Sequence, residues 1–174
     1  YRDVADAAPI PVYLYSVPTF TYVRLYPETA ADLATHPNVA GMKDSAGDVG
    51  SFVRLVRRTA DADFDPIVGS GGVFAQALAA GATGGILALA NVAPEVTARI
   101  FEAAGDDPET ARRLNAAVTE LNHAVTSAFG IPGLKYAMRQ RVAPAGHARS
   151  PHRPPDADAR ERLDELVAAL ETGL

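Results

Sequence analysis

The chain contains no cysteine and no tryptophan, and only two of its 16 basic residues, Lys43 and Lys135, are lysines. Without cysteine it can form no disulfide framework, thiolate nucleophile or zinc–cysteine site. It also lacks an apolar run of about 18 residues, the length that a transmembrane helix requires. We therefore expect no membrane partner and a cytoplasmic location. The sequence begins at Tyr1 without a methionine or a signal-peptide pattern, and we expect the authentic protein to be longer at its N-terminus.

Charge and histidine spacing exclude two further classes of function. The formal net charge is −5, so no basic surface predicts a nucleic-acid partner. The four histidines are not spaced as metal ligands, and the carboxylates form no paired motif. We therefore expect no metal and no cofactor. The two lysines are then candidate nucleophiles.

Strand-like and helix-like segments alternate through the first two-thirds of the chain. Short apolar runs predict four strands, at Pro11–Tyr15, Val39–Lys43, Pro66–Val68 and Gly84–Ala90. Helical spacing or helix-start signals predict helices at Pro27–Thr35, Asp48–Thr59, Val73–Ala80 and Pro94–Ala104. Strands that recur with intervening helices at this short period favour a parallel sheet of the barrel type.

The last third is helical throughout. One long helical pattern runs over Pro108–Phe129, the stretch Gly130–Gly133 interrupts it, and helices follow at Leu134–Val142 and Asp156–Leu170. The predicted fold class is α/β: about four βα units, the C-terminal half of a (β/α)₈ barrel, in residues 1–105, and a helical extension in residues 106–174. Four strands cannot close such a barrel, so we expect either that another copy of the chain supplies the other half or that the authentic protein is longer at its N-terminus.

Lys43 is the first candidate for a chemical role. It stands at the carboxyl end of a predicted strand, where active sites of barrel enzymes lie, and shares a strand face with Gly41, which leaves room beside the ammonium. A lysine withdrawn from water supplies the neutral amine that attacks a carbonyl carbon to form a Schiff base. A lysine that simply reaches out to solvent explains the position equally well.

Three further features surround this candidate. Tyr15 ends the preceding strand, and neighbouring strands lie about 5 Å apart, so its phenol could move a proton at Lys43; a core tyrosine is the alternative. The turn Gly69–Gly72 (Gly-Ser-Gly-Gly) could bind an anion with backbone amides, or merely be a tight turn. Ser45 could hydrogen-bond a substrate oxygen or cap a helix.

Several motifs, taken together, resemble the dihydrodipicolinate synthase / N-acetylneuraminate lyase family in order and spacing. They are Tyr15–Pro18 (Tyr-Ser-Val-Pro), His36–Ser45, Gly69–Gly72, Gly81–Gly85 with Ala90–Val92, Phe129–Lys135 and Gly146–Pro151. The resemblance covers nearly the whole chain, which corresponds to the C-terminal part of a family member, from strand 5 onward.

The resemblance implies a function. Family members are (β/α)₈ barrels with extra C-terminal helices, usually tetramers, whose lysine forms a Schiff base with pyruvate or a larger 2-keto acid. By position, Lys43 is that lysine and Tyr15 the proton relay, while Ser45, Gly69 and Ser70 line the substrate site. We therefore expect a class I, metal-free aldolase or lyase with a small 2-keto acid as its partner.

One departure bears on the subfamily. Dihydrodipicolinate synthases usually carry an arginine shortly after the tyrosine motif, whereas this chain has Pro18-Thr19-Phe20-Thr21 there, and Arg24 lies further along. The motifs look closest to 4-hydroxy-2-oxoglutarate aldolase, with 2-keto-3-deoxy sugar-acid aldolases near. Two alternatives stay open: a 4-hydroxy-tetrahydrodipicolinate synthase, and a non-catalytic remnant that serves in interaction or ligand sensing.

Overall fold

The structure is a computed structural model that describes residues 1–173, with side chains up to residue 170. The chain divides into a first unit, Tyr1–Ile86, and a second unit that begins at Leu87. The predicted boundary after residue 105, between barrel and helical extension, stays a prediction.

The first unit is built on a four-stranded parallel sheet. Its strands are β1 (Val12–Ser16), β2 (Val39–Asp44), β3 (Asp65–Val68) and β4 (Gly84–Gly85), and they neighbour each other in chain order. Successive parallel strands that lie side by side, with helices between them, are the arrangement of a (β/α) barrel wall. The first three strands lie within one residue of the predicted ones.

Five helices belong to the first unit, and two of them have no counterpart in the sequence-based prediction. They are α1 (Arg2–Ala7), α2 (Pro18–Thr21), α3 (Pro27–Ala34), α4 (Val49–Arg58) and α5 (Phe74–Ala79), with a 3₁₀ turn at Gly71–Val73. The unpredicted helices α1 and α2 are too short to show a periodic pattern. A long-range contact fixes α1, because the Asn38 side chain donates to the carbonyl oxygens of Ala5 and Ala8.

The two faces of the sheet differ in exposure. One face is packed beneath helices, and its side chains are buried, among them Leu14, Met42 and Val68. The opposite face, here called the inner face, carries Tyr13, Tyr15, Gly41, Lys43, Asp65 and Ile67. Tyr13 and Tyr15 are 47% and 51% exposed. Within the described residues, the inner face of the sheet is therefore partly exposed to solvent.

The predicted fourth strand, Gly84–Ala90, is too long. Only Gly84 and Gly85 pair as a strand, the Ile86 amide donates once more to Val68, and residues Leu89–Asn91 form a 3₁₀ turn. An apolar run fits a strand or a buried turn equally well. Here β4 follows the short β3 and finds a pairing partner on one side only.

The second unit is helical. Its helices are α6 (Pro94–Asp106), α7 (Pro108–Ala117), α8 (Thr119–His123), α9 (Gly130–Arg141) and α10 (Ala157–Gly173), with a π turn at Ala124–Ala128. Among the helices in residues 1–173, none has the length and apolar character needed to cross a membrane.

Two helix boundaries of the second unit differ from the prediction. The single helix predicted over Pro108–Phe129 is interrupted at Val118, and the Thr119 hydroxyl donates to the Asn115 carbonyl at the break. The next helix begins at Gly130 rather than at Leu134, since Gly130 takes a positive φ of 53° and redirects the chain there. Neither the hydrogen bond from the Thr119 hydroxyl to the Asn115 carbonyl nor the single glycine at position 130 interrupts the helical spacing of apolar residues. That spacing alone therefore could not predict these boundaries.

Candidate active site

Lys43 and Tyr15 lie side by side at the carboxyl ends of β2 and β1. The two residues are register partners in the parallel ladder, so their side chains leave the sheet on the same inner face. The Lys43 Nζ lies 3.5 Å from the Tyr15 hydroxyl and 4.4 Å from the centre of its ring. A cation over an aromatic face is attracted to it, and the hydroxyl is within reach of a proton exchanged at the amine.

Gly69 lies against this pair, beyond the end of β3. A Cβ added at Gly69 would stand 1.9 Å from the Ser45 Oγ and 2.8 Å from the Lys43 Cε, so a side chain would fit there only if Ser45 and Lys43 moved. The amides of Ser45 and Gly69 extend the ladder, donating to the carbonyls of Ser16 and Asp44 at 2.9 and 2.7 Å. Lys43, Ser45 and Gly69 therefore form one compact group.

Two serines were also predicted near Lys43, Ser70 in the glycine turn and Ser45 after β2, and only Ser45 lies beside it. The Ser70 hydroxyl lies beside Gly47, 3.5 Å from the position of a Cβ there, so it points toward the loop after β2. Ser45 does not cap α4, because the N-cap is Asp48, whose side chain accepts from the Ser51 amide at 3.0 Å. Helix capping is thus excluded as the reason for a serine at position 45.

The space over Gly41 is filled rather than open. The Tyr13 ring lies on this glycine, and a Cβ at Gly41 would come within 2.6 Å of the ring. The Tyr13 hydroxyl donates to Asp65 Oδ2 at 2.6 Å, and this hydrogen bond, with burial and the nearby charges of Asp65 and Asp63, raises the pKa of Tyr13. The expectation that Gly41 leaves room beside the ammonium is wrong, because an aromatic ring occupies that room.

An ionic cluster lies on the helix side of the same strand ends. Arg24 pairs with Asp48 at 2.7 Å, and this hydrogen bond lowers the pKa of Asp48. Asp44 is 7% exposed, and burial raises its pKa, against the opposing effects of the Ala46 amide and Arg24. The cluster fixes the loop between β2 and α4, which carries Ser45.

Sequence reasoning missed Tyr13, Asp65 and the pairing of Arg24. Tyr13 had a usable signal, because residues two apart on a strand share a face and Tyr15 was already a candidate. Asp65 precedes the predicted third strand and gave no signal. Among the described residues, no group of three or more histidines and carboxylates is arranged to hold a metal ion.

Comparison with known proteins identifies relatives along the whole chain. The profile of the Dihydrodipicolinate synthetase family matches residues 1–170. A 4-hydroxy-tetrahydrodipicolinate synthase of Haloarcula marismortui is 34% identical over 173 residues, which are 99% of this chain and 56% of the relative. The chain thus spans little more than half the length of this curated relative.

Solved structures give the same result for the fold. A Thermus thermophilus protein described as a dihydrodipicolinate synthase matches with a TM-score of 0.89 and 34% identity, over 99% of this chain and 59% of its own. A chloride-inhibited dihydrodipicolinate synthase from Acinetobacter baumannii, complexed with pyruvate, matches with a TM-score of 0.86 and 26% identity, over 98% and 59%. The predicted fold, the C-terminal half of a (β/α)₈ barrel with a helical extension, is confirmed.

Proposed function

Because the chain belongs to the dihydrodipicolinate synthetase family, we propose that it carries the Schiff-base centre of a class I aldolase or lyase that acts on pyruvate or another 2-keto acid. The observation that carries the proposal is the position of the Lys43 Nζ, 3.5 Å from the Tyr15 hydroxyl at the carboxyl ends of two barrel strands. Active sites of this fold lie at that end of the barrel.

The proposed chemistry begins at the ketone carbon of the substrate. The neutral Lys43 amine attacks this carbon, the carbonyl oxygen takes up one proton from the amine and one from an acid, and loss of water leaves a protonated imine. The imine withdraws electrons from the neighbouring carbon, which becomes part of an enamine either by losing a proton or by losing its bond to a hydroxyl-bearing carbon, and that carbon gives up its hydroxyl proton and departs as an aldehyde. Tyr15 is proposed to carry the protons that these steps release and consume, and the distance of 3.5 Å between its hydroxyl and the Lys43 Nζ supports this role.

Ser45, Gly69 and Ser70 are proposed to line the substrate site. The close fit of Gly69 against Lys43 and Ser45 supports this role, since the absent side chain lets both residues pack directly against the backbone at this position. The Ser45 hydroxyl stands in the same group and can donate to a substrate oxygen. Ser70 has weaker support, because its hydroxyl lies next to Gly47.

Within this class we propose cleavage of 4-hydroxy-2-oxoglutarate or of a 2-keto-3-deoxy sugar acid. The support is the segment after Tyr15, where α2 presents an exposed Phe20 and no arginine. Arg24 cannot substitute freely, because its guanidinium is held by Asp48 at 2.7 Å.

A 4-hydroxy-tetrahydrodipicolinate synthase is the second candidate. The observation in its favour is the relative of that name in Haloarcula marismortui, 34% identical. A synthase of this kind condenses pyruvate with a semialdehyde. The aldolase and the synthase would therefore share the lysine imine and differ in the second reactant. The expected homotetramer and cytoplasmic location stay predictions.

A role of another class is the third candidate. The chain spans 56% of its Haloarcula relative, and a site without its remaining walls positions substrate poorly. Such a chain would serve in interaction or ligand sensing rather than in catalysis.

Reductive trapping tests the proposed centre directly. The chain is incubated with pyruvate and borohydride, which reduces an imine to a stable secondary amine, and its peptides are mapped by mass spectrometry. The adduct is expected on Lys43 and not on Lys135, the other lysine and an internal control. Tyr15→Phe keeps the ring against Lys43 and removes the hydroxyl, so trapping is expected to slow by about 10²-fold. Tyr22→Phe, at a residue that is 92% exposed, is the matched control.

The possible results separate the candidates. The Schiff-base centre would be refuted if no adduct formed on Lys43 in this chain and none formed in a chain extended at its N-terminus by the remaining barrel strands. With the adduct present, release of pyruvate from 4-hydroxy-2-oxoglutarate supports the aldolase. Consumption of aspartate semialdehyde with pyruvate supports the synthase instead, and an adduct without turnover in the extended chain supports the non-catalytic role.

A further inference from the structure

Tyr13 bridges three strands one layer below the candidate centre. It is rooted in β1, its ring lies over Gly41 of β2, and its hydroxyl reaches Asp65 of β3, the register partner of Gly41. Lys43 and Tyr15 follow Gly41 and Tyr13 by two residues on the same face. The layer formed by Tyr13 and Asp65 thus lies about 7 Å along the strands from the layer of Lys43 and Tyr15.

Asp65 is the carboxylate best placed to compete for the Lys43 ammonium. The titratable groups on the inner face of the described strands are Tyr13, Tyr15, Lys43 and Asp65, while β4 contributes only glycines. Asp63 precedes β3, and its charge contributes to the raised pKa of Tyr13. Asp44 belongs to the opposite, helix-covered face. A lysine side chain is long enough to span the distance between the two layers.

We propose that Tyr13 is a positioning residue of the centre: its hydroxyl engages Asp65 and keeps that carboxylate from pairing with Lys43, which stays beside Tyr15. The inference rests on the proposed function, since it assigns Tyr13 to the Schiff-base site. The hydrogen bond of 2.6 Å occupies one carboxylate oxygen and holds the Asp65 side chain at the Tyr13 hydroxyl, one layer away from Lys43.

The consequence for reactivity follows from charge. An ammonium paired with a carboxylate holds its proton more tightly, and a protonated lysine does not attack a carbonyl. Loss of the Tyr13 hydroxyl frees Asp65, draws Lys43 toward it and away from Tyr15, and lowers the fraction of neutral amine at neutral pH. Removing the negative charge of Asp65 at the same time cancels the effect.

The experiment exploits the presence of only two lysines in the chain. Trace labelling with acetic anhydride, which reacts with neutral amines, is followed by peptide mapping from pH 6 to 11, with Lys135 as the internal reference. In Tyr13→Phe, Lys43 labelling at pH 7.5 relative to Lys135 is expected to fall about two- to fivefold, the size of a partly exposed ion pair. Asp65→Asn is expected to show no fall, because the amide oxygen still accepts from Tyr13. The double variant is expected to regain the wild-type value.

Two results would overturn the inference: no fall in Tyr13→Phe, or a fall that persists in the double variant, which would indicate loss of packing rather than a freed charge. Circular dichroism verifies folding, and Tyr13→Leu, which also lacks the hydroxyl, replaces Tyr13→Phe if that variant does not fold. Labelling needs no keto acid, so its outcome is independent of pyruvate trapping. Failed trapping both in this chain and in the extended chain, with the labelling pattern intact, refutes the proposed function and leaves the Tyr13–Asp65 relation standing.

Discussion

Gly69 is a position where one added methyl group would strike the candidate centre directly. In Gly69→Ala the new Cβ would overlap the Ser45 Oγ at 1.9 Å and crowd the Lys43 Cε at 2.8 Å. Both are side-chain atoms that can move, so we expect the fold to survive while Lys43 is displaced from Tyr15. Displacements of about 1 Å can cost 10²-fold in rate, and pyruvate trapping on Lys43 is expected to slow by that order.

Gly84→Ala is the matched control for this substitution. A Cβ at Gly84 meets no atom within 4 Å, although the residue lies on a strand of the same sheet. Trapping in Gly84→Ala is expected to match the wild type. Equal trapping rates in the two variants would contradict a role for Gly69 in the site.

Asp44 is expected to make the protein less stable as the pH rises from acid to neutral. Burial raises its pKa, so between the unfolded value of about 3.9 and the folded value the native state binds more protons than the unfolded chain. In that window the free energy of unfolding falls with rising pH, and above the folded pKa the loss is complete. Asp44→Asn is therefore expected to raise the urea midpoint at pH 7 and to leave it nearly unchanged at pH 4.

Asp48 provides a control of opposite sign. Its pKa is lowered, first by the hydrogen bond from Arg24, so its contribution to stability is present above the unfolded pKa and lost as the pH falls through the folded one. Asp48→Asn is expected to lower the urea midpoint at pH 7. The interpretation of Asp44 fails if both variants shift the midpoint in the same direction at pH 7.

At the residue scale, the sequence predicted that the side chains of Lys43 and Tyr15 meet. It did not predict the hydrogen bond between Tyr13 and Asp65 in the next layer of the same face. Lys43 and Tyr15 end neighbouring parallel strands, and strand spacing alone brings such residues together. The bond from Tyr13 to Asp65 joins residues 52 positions apart and spans three strands. No local pattern encodes such a pair, because its register depends on where β3 begins.

At the scale of elements, strands β1 to β3 were predictable because each is a short apolar run with a clear end. The errors concern segments whose structure depends on contacts made elsewhere. The strand β4 ends after two residues, the helical pattern over Pro108–Phe129 breaks at Val118, and α1 is held by the side chain of Asn38. Periodicity reports which face is apolar, and it does not report such interruptions.

The start of α9 leads to a prediction about helix packing. Gly133 lies where α9 meets Phe129, and a Cβ there would stand 2.5 Å from the Phe129 Cβ and 3.5 Å from the Leu163 Cδ1 of α10. The Phe129 Cβ is fixed to the backbone, so the helix must shift. Overpacking costs about 1–3 kcal/mol, whereas the helix propensity gained by alanine is about 1 kcal/mol or less. Gly133→Ala is expected to be destabilised by about 1–2 kcal/mol in urea unfolding.

Gly105→Ala in α6 isolates the propensity term, because a Cβ there meets nothing within 4 Å. This variant is expected to be as stable as the wild type, or more stable by up to about 1 kcal/mol. If Gly133→Ala were stabilised to the same extent, the close packing at Phe129 would not be a constraint on α9.

At the scale of the whole molecule, the inner face of the sheet is the feature that four strands leave incomplete. Side chains of a closed (β/α)₈ barrel fill its interior in layers contributed by alternate strands. Here Tyr13 and Tyr15, one in each layer, are 47% and 51% exposed. The same face carries Lys43, so strands that covered this face would change the environment of the proposed nucleophile.

A fusion tests this dependence. The segment of the Haloarcula marismortui relative that precedes the matched region is joined ahead of Tyr1, and the tyrosines of the isolated chain and of the fusion are nitrated with tetranitromethane and mapped. Nitration of Tyr13 and Tyr15 is expected to fall in the fusion, because added strands cover the inner face. Tyr22, 92% exposed on the loop after α2, is expected to react equally in both and serves as the reference. Pyruvate trapping on Lys43 is expected to rise by about tenfold or more, since enclosure excludes water and positions the keto acid. Unchanged nitration of Tyr13 and Tyr15 in a folded fusion would mean that the added strands do not close over this face, and the expected dependence of the Lys43 site on such strands would then be wrong.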